Sequence, residues 1–207
     1  MIDRGVAIVL CGGESRRMGK TKAWLELGGE PLLSRVCRVV SSVVNTVIVV
    51  AAPGQTLPQL TDQCRLRYDD QPGEGPLVAI ASMLRHLPDS TTHAFLVGCD
   101  YPFLTQKFIE TLRSRIGDRD LVALSGDRPQ PLCAWYRVDG LREASQLVEN
   151  GERRLIALYD RLSAKEVSPD SLYPGVERAV RNVNTPEAYQ QAIAEYEQGE
   201  TKREEHL

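Results

Sequence analysis

Apolar residues in this chain follow two alternating patterns. Short runs rich in β-branched residues read as buried strands: Val6 to Cys11, Thr46 to Ala51, Leu66 to Asp69, and the run from His93 that delivers Asp100. Between them, Leu32, Leu33, Val36, Val39, Val40 and Val43 recur at helical spacing. So do Leu77, Ile80, Ala81, Leu84 and Leu87, and then Phe108, Ile109, Leu112 and Ile116. Strand alternating with helix predicts a mainly parallel, doubly wound sheet between helical layers, a three-layer α/β/α sandwich. Leu121 to Ser125 and Leu132 to Val138 predict two more strands around the turn at Gly126–Pro131. That connection is short enough for the second strand to be antiparallel or to cross into another lobe. Lys165 to Ser168 reads as a last strand, and Thr185-Pro186 as the N-cap and first turn of a closing helix striped by Tyr189, Ile193 and Tyr196. The expected organisation is one domain over residues 1–197 and a charged, disordered tail over 198–207.

Composition narrows the class. The chain has 207 residues, 42% of them hydrophobic and 26% charged, ordinary values for a globular domain with one substantial core. A net charge of −3 argues against a nucleic-acid surface. Five cysteines, with no C-x-x-C and no metal spacing, suggest reduced thiols in a cytoplasm. The first apolar run is too short for a signal peptide core or a membrane span.

Against that balance, the stretch after the first strand stands out. Val6–Leu10 stops at Cys11-Gly12-Gly13, and Arg16, Arg17, Lys20 and Lys22 follow at once. Glycines let backbone N–H groups approach phosphate oxygens, and arginine and lysine supply full charge. The Gly19-Lys20-Thr21 string resembles the end of a P-loop, but five residues separate it from Gly13 where four are needed, and no long helix follows directly. Asp100, at the end of an apolar strand, shares the sheet edge with the glycines. A carboxylate there can hold Mg²⁺ against the phosphates of a nucleotide, although an aspartate after a strand is as often a cap or turn residue.

The string Leu10-Cys11-Gly12-Gly13-x-Ser15-x-Arg17-Met18-Gly19-x-x-Lys22 resembles the signature loop of the molybdenum cofactor guanylyltransferases. It departs from the common form at Cys11, usually Ala, and Thr21, usually Asp. Further matches follow in the family's order: Gly75-Pro76-Leu77, Cys99-Asp100-x-Pro102-Phe103-Leu104, the Pro131-Leu132 segment, Gly151-Glu152-Arg153-Arg154 and Asn182-x-Asn184-Thr185-Pro186-Glu187. The resemblance implies a Rossmann-like nucleotidyltransferase that joins GMP from GTP to the terminal phosphate of molybdopterin and releases pyrophosphate. It implies nucleotide contacts from Leu10, Cys11, Gly12, Gly13, Ser15, Lys22, Asp70, Gly75 and Asp100. Asp70 is preferred to Asp69, which the spacing leaves open. Catalysis would rest on Arg17, Lys22 and Asp100, with Mg²⁺ on Asp100. Gln130, Pro131, Asn182 and Asn184 would line the acceptor side. GTP and molybdopterin are the implied partners, with transient contacts to cofactor-synthesis proteins or acceptor enzymes, no nucleic acid and no membrane. Ala51-Ala52 stands where the family often has Asn, so the nucleoside contacts are less defined than the phosphate contacts. A cytidylyltransferase or a sugar-1-phosphate nucleotidyltransferase would use the same machinery. A nucleotide-binding regulator without turnover is the reading from another class, and it has no use for both Lys22 and Asp100.

Overall fold

Val6–Leu10 forms β1, the strand around which the sheet is wound. A computed structural model of the chain describes residues 5–12, 21–126 and 129–204. In chain order β1 is followed by a small hairpin, β2 (Glu26–Leu27) and β3 (Glu30–Pro31), and then α1 (Leu32–Ser41), β4 (Thr46–Ala51), β5 (Cys64–Tyr68) and α2 (Pro76–Met83). Next come β6 (His93–Gly98), α3 (Gln106–Arg113), β7 (Leu121–Leu124) and β8 (Ala134–Arg137). Three short helices follow, α4 (Val138–Leu141), α5 (Glu143–Glu149) and α6 (Leu155–Arg161), and then β9 (Ala164–Val167) and α7 (Pro186–Glu204). The main sheet has seven strands in the order β5-β4-β1-β6-β8-β7-β9.

β5, β4, β1 and β6 are parallel, with Ile8 of β1 facing Ile48 on one side and Leu96 on the other. β8 runs antiparallel to both β6 and β7, while β9 returns parallel to β7. The connection from β7 to β8 holds no described helix, which is too little chain for a right-handed crossover, so the strand comes back reversed.

The period of two along each strand divides the core. Ala7, Val9, Val47, Val49, Phe95 and Val97 face α1 and α3. Ile8, Ile48, Val50, Ala94 and Leu96 face the layer of α2, α5 and α6. This is the three-layer sandwich that the pattern predicts. A third cluster, Leu25, Leu27, Leu32, Phe103, Val183 and Ala192, fastens α7 to the hairpin. Tyr189 of α7 joins it, its hydroxyl donating to Glu26 O at 2.6 Å.

Two features depart from the expectation. α4, α5 and α6 are of four and seven residues, too short for a helical stripe to be read. α7 continues through Gln198 to Glu204, where Gln198, Glu200, Lys202, Arg203 and Glu204 are residue types of good helix propensity. No described helix is long and apolar enough to cross a membrane.

Candidate active site

The chain runs outward from β1 to β4 and β5, then returns to β6 on the other flank of β1. The carboxyl ends of β1 and β6 therefore border the crevice where the winding reverses, the usual ligand position in such sheets. A cleft of about 410 Å³ opens there, lined among others by Leu10, Cys11, Gly12, Lys22, Gly98 and Asp100. Its size is that of a small-molecule site.

At the end of β1, Cys11 N and Gly12 N both donate to Val50 O, at 2.9 and 3.1 Å. Gly12 lies against Ala52, where an added Cβ would be 3.4 Å from Ala52 N. The Cys11 thiol is spent on the same carbonyl, 3.2 Å away. Burial pushes its pKa up to about 12, and Cys99 is pushed up by burial as well, so neither offers a thiolate nucleophile at neutral pH.

Three distant segments meet on the opposite side. Lys22, from the 3₁₀ turn Lys22–Trp24, donates to Asp100 Oδ2 at 2.7 Å and to Asn184 Oδ1. The Lys22 and Asp100 side chains are 23% and 14% exposed, so the pair is largely withdrawn from water yet open to the cleft. Gly98 makes room for it, because a Cβ at that position would collide with Asp100 Oδ1. The asparagines are set by the residue between them. Val183 is buried, and its N–H donates to Asp100 O at 2.9 Å. Asn184 is thereby turned to Lys22, and the Asn182 side chain bonds to the Tyr101 hydroxyl. Burial raises the pKa of Tyr101, and that bond works against the rise.

The remaining wall is a rim of loop. Asp69 N donates to Ala51 O at 2.8 Å, extending the β4–β5 register by one residue. Asp69, Pro72, Gly73, Gly75 and Pro76 then line the cleft. Gly75, at φ 103°, caps α2, and a Cβ there would lie 2.8 Å from Arg153 O. Arg153 secures this corner through Glu74, Nε to Oε2 at 3.0 Å, whereas Arg154 pairs with Glu152 on the surface.

The structure thus brings Leu10, Cys11, Gly12, Lys22, Gly75 and Asp100 to one cleft, with Asn184 on Lys22. Asp70 departs from the expectation: it turns outward to Arg85, 2.5 Å away, and Asp69 takes the cleft wall. Gln130 and Pro131 precede the wall residue Leu132 and do not themselves line the cleft; Pro131 O accepts from Tyr136 Oη at 2.7 Å. Gly13, Ser15 and Arg17 lie outside the described residues. The sequence reading held Asp69 only as the second choice to Asp70, and it missed Leu132 and Tyr101.

Among the described residues no group of three or more His, Cys, Asp or Glu side chains is arranged to hold a metal ion. A divalent cation here would have Asp100 as its protein carboxylate and would draw on phosphate oxygens for the rest. The Lys22 ammonium on that carboxylate shows that the position accommodates positive charge.

A doubly wound sheet with a glycine-rooted strand end, a lysine and a strand-end aspartate at the switch point defines a nucleotidyltransferase. The chain belongs to the MobA-like NTP transferase domain family, whose profile matches residues 7–166. A relative from Mycolicibacterium paratuberculosis, named probable molybdenum cofactor guanylyltransferase, is 37% identical over 194 residues, covering 91% of this chain and 94% of its own. Among solved structures, molybdopterin-guanine dinucleotide biosynthesis protein A from Archaeoglobus fulgidus superposes with a TM-score of 0.74 at 22% identity, covering 91% of this chain and 97% of that one. A 2-C-methyl-D-erythritol 4-phosphate cytidylyltransferase from Thermus thermophilus shares the fold at a TM-score of 0.68 and 14% identity, over 93% and 99% of the two chains.

Proposed function

We propose that this chain transfers the GMP part of GTP to the terminal phosphate of molybdopterin, releasing pyrophosphate. The observation that carries this reading is the meeting of Lys22, Asp100 and Asn184 at the switch-point cleft. The name of the mycobacterial relative supports the choice of substrates. The acceptor phosphate has a second pKa of about 6 and is largely dianionic at neutral pH, so an oxygen of it can attack the α-phosphorus without a protein base. A bond forms from that oxygen to the α-phosphorus, the bridge to the β-phosphate breaks, and pyrophosphate departs with the electron pair. Catalysis reduces to alignment and neutralisation of charge.

Each residue then has a task. With the Gly12 N–H held by Val50 O, Gly12 brings the backbone close to the ligand, the Gly13 amide and the Ser15 hydroxyl cradle phosphate, and Arg17 and Lys22 offset charge building on the leaving pyrophosphate. Lys22 reaches phosphate by exchanging its bonds to Asp100 and Asn184. Asp100 is the residue that would hold Mg²⁺, which when bound supplies further neutralisation of phosphate charge. Asn182 and Asn184 face the acceptor, and Leu132, which follows Gln130 and Pro131, lines the cleft. On the rim, the Asp69 carboxylate is an acceptor-only group suited to the adjacent N1–H and N2–H donors of guanine, a pair that cytosine lacks. Five free cysteines fit a reducing cytoplasm.

The test is pyrophosphate release with GTP, CTP and ATP, each with and without molybdopterin. The reading requires GTP and molybdopterin together. Equal turnover with CTP would sink the guanine assignment and leave the nucleotidyltransferase class standing.

A further inference from the structure

The geometry points to Gln55 as a positioning residue for the basic loop that follows β1, within a brace formed by the turn 52–56. The turn follows β4, and its Gln55 N donates back to Ala52 O at 3.1 Å. The Gln55 amide then works in both directions. Its Nε2 donates to Cys11 O at 3.1 Å, and its Oε1 accepts from Ala52 N at 3.1 Å. The Cys11–Gly12 peptide is thereby bonded on both sides, its carbonyl to Gln55 and its N–H to Val50 O. Its plane cannot turn without breaking one of these bonds, so the orientation in which the chain enters Gly12, the near root of the loop, is fixed. The next residue of the turn holds the far root of the same loop, for Thr56 O accepts from Trp24 Nε1 at 3.0 Å. One five-residue turn therefore grips the chain before the loop and after it, just beyond Lys22.

Gln55 itself does not line the cleft, but Cys11, Gly12, Lys22 and Ala52 do. Its effect on a ligand must pass through these groups. Glutamine suits the task because it donates and accepts from one planar group. Glutamate could accept from Ala52 N but would set an oxygen against Cys11 O.

This inference rests on the nucleotide reading for its kinetic consequence and on geometry alone for the brace, so its test has two arms. In the first, hydrogen exchange is followed on the nucleotide-free wild type, Gln55→Ala, Gln55→Glu and Trp24→Phe. Faster exchange over residues 11–24 is expected in all three variants, largest for Gln55→Glu, with β4 and β6 as protected as in the wild type. In the second, KM for GTP should rise about tenfold in both Gln55 variants, the effect of one hydrogen bond to a withdrawn group, while KM for molybdopterin stays unchanged. Wild-type exchange over 11–24 in Gln55→Glu would overturn the proposal, as would deprotection spread equally through β4 and β6. A wild-type protein that releases no pyrophosphate from GTP would instead sink the functional reading, and the exchange arm would still decide the brace.

Discussion

The cleft has two aspartate-bearing sides, and they are built on different plans. At the end of β6, Asp100 is held with Lys22 and Asn184 by contacts that join residues 78 and 162 positions apart. Around them lie a buried valine, a glycine that could not be larger, and the cluster beneath α7. At the rim, Asp69 accepts from Gln71 N within its own turn, and Pro72, Gly73, Gly75 and Pro76 line the cleft beside it. The first side is preorganised charge, suited to a triphosphate whatever base it carries. The second is a glycine- and proline-rich turn with one carboxylate, which the proposed function assigns to the base. Changes on the first side should therefore act on rate, and changes on the second on selectivity.

The largest effect is expected from Asp100→Asn, which keeps shape and loses charge. Turnover should fall about 10²–10³-fold, the scale of losing one preorganised charge contact, while the melting temperature and GTP-independent fold persist. Near-normal turnover at ordinary magnesium would remove Asp100 from the rate side altogether. Lys22→Ala comes next. A charge-assisted contact is worth about 1.5–3 kcal/mol, so kcat/KM for GTP should drop roughly 10- to 150-fold. Asn182→Ala combined with Asn184→Ala should weaken molybdopterin use about tenfold and leave GTP affinity nearly unchanged, which calorimetry reads directly. Loss of GTP binding as severe as in Lys22→Ala would mean that the asparagines belong to the nucleotide and that the site has no separate acceptor half.

The two sides also differ in how far the sequence revealed them. On the rate side, Thr46 to Ala51 was legible to the residue, and the strand carrying Asp100 announced itself by its apolar run. Asn182 and Asn184 stood out by their likeness to a known string, although nothing local says that Val183 is the buried peg that separates them. The direction of β8 stayed open because alternation of apolar residues carries no information about strand polarity. On the rim, two adjacent aspartates share one turn, and Asp69 lines the cleft where one bond, Asp69 N to Ala51 O, carries the β5 register one residue further. Gln55 was illegible for a related reason. A glutamine in a Pro-Gly turn reads as solvated until its two partners, 44 and 3 positions away, are known.

That register argument gives the sharpest and smallest of the tests, a paired substitution of neighbours. Asp69→Asn replaces one acceptor oxygen of the cleft wall with a donor, which would face the N1–H or N2–H of guanine. The ratio of kcat/KM for GTP over CTP should fall about tenfold, with kcat for GTP little changed, because the phosphate side is untouched. Asp70→Asn removes only the surface pair with Arg85, whose partners are 44% and 56% exposed. Such pairs contribute about 0–1 kcal/mol, so stability should shift by no more than that and nucleotide selectivity not at all. The comparison needs no absolute calibration, since each variant controls for the other in the same turn. Selectivity lost with Asp70→Asn and kept with Asp69→Asn would mean that the base is read by a rim conformation other than the one in which Asp70 pairs with Arg85.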